Sequence, residues 1–226
     1  MNTGHILDQV LQTGKELAEK TREIAEKSLG VPPEGQARDS MLAGLGKGAV
    51  AGGLLTLLLG NRAARSVTGK ALKYGSLAAV ASVAFKALQG WQTTSAEPAT
   101  NAGQAILDMS PEQADLRAHL LVRAMISAAN ADGNVDAAER ATMVQEINKM
   151  GLPTDAAITL AQDVNSPLSA SNLAMQVDSI AAASEVYLIS SLMIDEASPV
   201  ESQYLVDLAK ALGLPPELIA RLNSES

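Results

Sequence analysis

The pattern of apolar and polar positions divides this chain into regions of different periodicity. Residues 5–29 repeat apolar side chains at three- and four-residue steps with charges on the other face, which predicts an amphipathic helix. Residues 41–60 and 74–91 are almost continuously apolar, whereas the rest returns to helical periodicity between short polar loops. We therefore predict an all-α protein made of an amphipathic helix with a linker (1–40), a Gly-rich hydrophobic helical hairpin (41–91), a linker (92–109) and an acidic helical domain (110–226).

The two apolar stretches have the length of membrane spans. A helix needs roughly 20 apolar residues to cross a bilayer, and Tyr74 and Trp91 bracket the second stretch as an interfacial aromatic pair would. Gly44, Gly48 and Gly52 form a row of small residues that lets helices approach closely in lipid. These features predict a transmembrane or membrane-associated hairpin that contacts further copies or other membrane proteins through its glycine faces. The alternative is a helical hairpin buried inside a soluble protein.

A basic segment joins the two apolar stretches. Residues 61–73 carry Arg62, Arg65, Lys70 and Lys73 and no acid, so the positive-inside rule places this segment in the cytoplasm. Two complete crossings would then put both termini on the other side. The N-terminal amphipathic helix packs on its own protein or on a copy of it, or it lies on the membrane surface.

The acidic domain contains a helix-loop-helix pseudo-repeat. The segment from Ile126 to Pro153 returns in altered form from Ile189 to Pro215. In both copies Ile-Ser precedes an Asp, a Glu follows, and Gly-Leu-Pro ends the second helix. If the copies pack about a local two-fold, the two acidic loops come together.

The loop acids have two interpretations. Glu139 follows Asp136, and Glu201 follows Ser198, at the spacing of a helix cap, and capping alone explains these residues. Capping does not explain the Asp residues at the ends of the preceding helices, where the helix dipole disfavours anions. Clustered carboxylates suit Ca²⁺, Mg²⁺ or Mn²⁺. The candidate metal ligands are Asp132, Asp136, Glu139, Asp195 and Glu201.

Composition excludes several classes of site. The chain has no cysteine and two histidines, which leaves no thiolate chemistry and makes a His-rich zinc site or a Ser-His-Asp triad hard to assemble. Residues 104–226 carry a net charge of −11, against +3 for residues 1–103, so we expect no nucleic-acid binding. No nucleophile–base pair or phosphate-binding loop is visible, so a hydrolase that uses paired carboxylates with a metal is the least favoured hypothesis, and we expect no enzyme.

The loop sequences AANADGNVDAAE and IDEASPVE resemble the tellurite-resistance TerB-like domain. Together with the Gly-rich stretch and the basic RxxRxxxxKxxxKYG segment, residues 41–222 resemble the YebE-like bacterial inner-membrane proteins. The resemblance implies an all-helical domain, a location at the bacterial inner membrane, a link to envelope or stress responses, and metal binding at the acidic loops. We therefore predict a membrane-anchored binding or sensor module. The alternative is a structural membrane adaptor that oligomerises and holds no metal.

Overall fold

The computed structural model describes residues 77–95, 101–149, 152–194 and 198–225. Within these ranges every regular element is helical, which confirms the all-α prediction for this part of the chain. The predicted N-terminal helix and the first apolar stretch lie outside the described residues. The helices are α1 (Leu77–Gln92), a 3-10 turn (Ile106–Asp108), α2 (Pro111–Ala129), α3 (Ala137–Lys149), α4 (Thr154–Asn165), α5 (Ala170–Ala174), α6 (Ile180–Met193), α7 (Pro199–Ala211) and α8 (Pro216–Glu225).

Helix α6 is the centre of the bundle. Its sequence IAAASEVYLISSLM is apolar on all sides, and every residue from Ala181 to Ser190 is buried. A helix that is apolar all round must be covered on all sides, and α6 packs on α1, α2, α7 and α8. The helices outside this group pack on its members or on each other: α4 packs on α2 and on α3, and α5 packs on α7.

Helix α1 is part of this bundle. It comprises the described part of the second apolar stretch, for which the sequence predicted a membrane span. Its buried side chains are between 0 and 2% exposed and face α6 and α8; they are Leu77, Val80, Ala81, Ala84 and Leu88. Within the described ranges, every helix is too short or too polar to cross a bilayer. The apolar face of α1 is covered by protein because α6 needs apolar neighbours.

Both copies of the pseudo-repeat form the expected pair of helices. Ile126 and Ile189 are fully buried, and the serines that follow them are buried on α2 and α6. These two helices pack directly on each other. Gly213 ends α7 with a φ of 64°, a left-handed conformation that favours glycine. A capping box is present at the start of α2, between Ser110 and Gln113.

The segment Asn101–Gly103, which we call the strap, closes the N-terminal end of α6. The carbonyl oxygens of Asn101 and Ala102 accept hydrogen bonds from the amides of Ile180 and Ala181, each at 3.1 Å. The first amides of a helix have no partner within the helix, so the strap satisfies two of them. The connection before α2 is therefore a packed part of the bundle at this point.

Candidate functional site

The first acidic loop is held by its own hydrogen bonds. Both carboxylate oxygens of Asp132 accept bonds from Asn134, one from the backbone amide at 3.0 Å and one from the side-chain amide at 3.2 Å. Gly133 makes the turn with a φ of 70°. This is an Asx turn, which fixes the loop between α2 and α3 without a ligand.

Asp136 and Glu139 cap helix α3 reciprocally. The Asp136 carboxylate accepts the Glu139 amide at 2.8 Å, and the Glu139 carboxylate accepts the Asp136 amide at 3.1 Å. This arrangement satisfies two amides at the helix start, and it places negative charge where the helix dipole favours it. Both side chains therefore have a structural role in the described loop.

The second acidic loop differs from the first. Glu201, the counterpart of Glu139, is only 4% exposed, and its amide lies 3.4 Å from the Ser198 hydroxyl that caps α7. Asp195 lies outside the described residues. Among the residues that are described, His, Asp and Glu form no group of three that could hold a metal ion. The cation site over Asp132, Asp136, Glu139, Asp195 and Glu201 therefore stays a prediction.

A buried ion pair connects α2 to the central helix. The Arg117 guanidinium donates to Glu185 at 2.9 Å and to Asp178 at 3.0 Å. Glu185 is fully buried, whereas the Asp178 side chain is 76% exposed. The second oxygen of Glu185 has no hydrogen-bond partner within the described part of the chain. Burial raises the pKa of Glu185 to about 7, although Arg117 acts in the opposite direction.

A second ion pair joins α2 to α4. Arg123 donates to both carboxylate oxygens of Asp163, at 2.6 and 3.1 Å, and to the Gln176 side chain at 2.6 Å. One helical turn earlier, burial lowers the pKa of His119, although a backbone hydrogen bond with Ala156 acts in the opposite direction. The imidazole is thus favoured in its neutral form.

The turn at Asp178 and Ser179 lines two cavities, one on each side of it. The larger has a volume of about 1070 Å³ and is lined by the end of α1 and the turns that precede α6 and α8. The smaller has a volume of about 500 Å³ and lies between the strap, the first half of α2 and this turn. Its lining includes Met109, Gln113, Leu116, His119, Leu120 and Gln176. We call the smaller cavity the α2 groove.

Arg117 and Glu185 form a buried ion pair at the central helix. Local sequence patterns did not predict this pair. A signal was present, because Glu185 is the one charge within the apolar run of α6. Its partner, 68 positions away, could not be read from local periodicity.

Comparison with known proteins places the chain in a family without an assigned activity. It is 29% identical over 104 residues to an "Uncharacterized protein in ampR 5'region" from Yersinia enterocolitica, which covers 46% of this chain and 75% of that protein. No solved structure matches the chain significantly. A family model described as "Protein of unknown function (DUF533)" matches residues 44–226. Because this match spans most of the chain, the protein belongs to the DUF533 family.

Proposed function

We propose that this protein is a non-enzymatic binding module, anchored to the bacterial inner membrane by a single apolar segment. The observation that carries this proposal is the burial of α1 against α6 and α8. An apolar helix face that packs in a protein core is not available to lipid. The remaining candidate for an anchor is the stretch 41–60, which has one charge, at Lys47. The YebE-like resemblance supports the same location.

A single crossing changes the expected topology. The basic segment 61–73 and the helical bundle then lie on the same side of the membrane, and the positive-inside rule makes this the cytoplasmic side. Residues 1–40 lie on the opposite side. A two-span hairpin would instead separate the basic segment from the bundle.

Cysteine labelling tests this topology cleanly because the chain has no native cysteine. We would introduce Ser28→Cys, Thr68→Cys and Ser224→Cys singly and treat intact cells, with a permeabilised outer membrane, with a membrane-impermeant maleimide. A single crossing predicts that Ser28→Cys is labelled and that the other two are labelled only after lysis. Labelling of Ser224→Cys in intact cells would indicate a second crossing. Protection of Ser28→Cys would contradict the anchor.

The ligand that the bundle supports best is a basic partner, because residues 104–226 carry a net charge of −11. A divalent cation at the predicted loop acids is the second candidate, although the Asx turn with Asn134 already gives Asp132 a structural role. Unfolding of the full chain with and without Ca²⁺, Mg²⁺ or Mn²⁺, beside an Asp132→Asn, Asp195→Asn double variant, tests this candidate. A metal-specific stabilisation that the variant loses would support a cation site, and no shift with any ion would leave these acids as structural groups.

A further inference from the structure

The carboxylate of Glu185 is enclosed in the bundle with only one of its oxygens in a hydrogen bond. That oxygen accepts from Arg117 at 2.9 Å, and the other has no donor within the described part of the chain. A carboxylate needs more donors when it is ionised than when it is protonated. Because the side chain is 0% exposed, bulk water reaches the second oxygen only when the surrounding elements move.

Arg117 connects Glu185 to the turn that begins α6. The guanidinium also donates to Asp178 at 3.0 Å, and the same Asp178 oxygen accepts the Ser179 hydroxyl at 2.9 Å. The hydroxyl oxygen of Ser179 in turn caps the first turn of α6. The side chain of Asn101, in the strap, donates to the carbonyl oxygen of Asp178. One continuous set of hydrogen bonds therefore runs from the buried carboxylate to the helix start and the strap.

Two charged groups act on Glu185, and they come from different elements. Arg117 on α2 favours its ionised form, whereas Asp178 in the turn disfavours it. Burial has the larger effect and raises the pKa of Glu185 to about 7. Glu201, the buried acid of α7, follows the C-terminal end of α6, whereas Glu185 lies in the first half of that helix. The other charged side chains on α1, α7 and α8 are exposed; they are Lys86, Asp207, Lys210, Glu217, Arg221 and Glu225.

We propose that Glu185 is the proton-binding site of a local switch, in which loss of its proton separates the turn at Asp178 and Ser179 from the strap and admits water to the carboxylate through the α2 groove. Arg117 and Asp178 both line this groove, so a movement of the turn joins Glu185 to the solvent there. The ionised carboxylate gains more from hydration than the protonated acid does, so proton loss favours the open form. The rest of the bundle stays folded.

Hydrogen exchange of the full chain in nanodiscs, resolved to single amides by mass spectrometry, tests the switch. The amides of Ile180 and Ala181 donate to carbonyl oxygens of the strap, so their exchange reports the separation directly. After correction for intrinsic exchange rates, we expect their protection factors to fall roughly tenfold from about pH 6 to about pH 8. The amide of Asn172, which Ser169 caps at the start of α5, should keep its protection factor.

Urea separates this local opening from complete unfolding. A local opening exposes little surface, so low concentrations of urea should leave the exchange of Ile180 and Ala181 unchanged. The amide of Leu121, in the middle of α2, should exchange faster as urea is added. The same urea dependence at all three amides would mean that the strap contacts open only when the whole bundle unfolds, and it would overturn the proposal.

Three variants assign the transition to its groups. Glu185→Gln should give protection factors at Ile180 that do not change with pH, because an amide does not titrate. Asp178→Asn retains Glu185 but removes the charge that disfavours its ionised form, so the transition should move to lower pH. Glu217→Gln, at an exposed position on α8, should leave the transition at the pH of the wild type. A wild type whose protection factors do not change with pH, or an Asp178→Asn transition at the wild-type pH, would refute the switch.

Discussion

The guanidinium of Arg117 and the carboxylate of Glu185 meet at 2.9 Å inside the bundle, on two helices that belong to different copies of the pseudo-repeat. Glu185 is fully buried, and one of its oxygens has no partner among the described residues. Removing a charge from water is expensive, and one ion pair does not fully compensate a carboxylate with an unsatisfied oxygen. The pair therefore makes the stability of the bundle sensitive to pH.

Stability should fall as the pH rises from about 5 to about 8. The pKa of Glu185 is raised from 4.5 to about 7, so the folded protein binds a proton that the unfolded chain has lost. The stabilisation is complete below the pKa that Glu185 has in the unfolded chain. It is lost as the pH rises through the pKa that Glu185 has in the folded protein. Each pKa unit corresponds to about 1.4 kcal/mol, so this group accounts for roughly 2–4 kcal/mol.

Urea unfolding measured by the fluorescence of Trp91, the single tryptophan, follows this change. Glu185→Gln should remove most of the dependence, since an amide does not titrate. Glu217→Gln, at an exposed position on α8, should keep the wild-type dependence. A wild type that gains stability over this pH range would contradict the assignment to Glu185.

Arg117→Met should destabilise the bundle by roughly 3–5 kcal/mol at about pH 8, where Glu185 would remain buried without its partner. The loss should be smaller at about pH 5, because a protonated carboxyl needs no cation. The double variant Arg117→Met, Glu185→Met should recover part of the stability, since it leaves no buried charge. Additive effects of the two substitutions would show that the groups do not interact.

Gly103→Ala should destabilise the protein more than Gly133→Ala does. Both glycines have positive φ, of 75° and 70°, so alanine is strained at either position by about 1 kcal/mol. A Cβ at Gly103 would also lie 2.5 Å from the Ser179 hydroxyl oxygen, whereas a Cβ at Gly133 meets nothing within 4 Å. The difference between their unfolding free energies measures how tightly the strap packs. Equal effects of the two substitutions would mean that the strap can move away from Ser179 without lowering the free energy of unfolding.

Asp136→Ala should cost about 1 kcal/mol, because it removes the side chain that caps α3. Asp136→Asn should be nearly neutral, since asparagine caps a helix as well as aspartate does. Thermal unfolding in a metal-free buffer measures both. If asparagine proved as harmful as alanine, the charge of Asp136 would matter more than its hydrogen bond.

The predictable parts of this fold are those that local chemistry determines. The Gly-Leu-Pro motif correctly predicted the end of α7 at Gly213, because left-handed turns depend on a few adjacent residues. The capping box of Ser110 and Gln113 at the start of α2 is equally local. The cap spacing of Asp136 and Glu139 likewise corresponds to reciprocal hydrogen bonds in the structure.

The environment of α1 was harder to infer. Leu77 and Leu88 have the same character whether lipid or protein covers them, and the residues that cover them come from α6 and α8, distant in sequence. The α2 groove also escaped prediction, because it forms where the strap, α2 and the turn before α6 meet. Periodicity identifies an apolar face but does not identify its neighbour.

The strap defines where a foldable fragment can begin. A truncation that starts after residue 103 would remove the carbonyl oxygens that satisfy the amides of Ile180 and Ala181, together with the whole of α1. The central helix would lose the cover of α1, and the apolar side chains of α6 and α8 that pack on α1 would be exposed to water. The acidic region that looks like an independent domain in the sequence is therefore incomplete, and the smallest autonomous unit should extend back at least to Leu77.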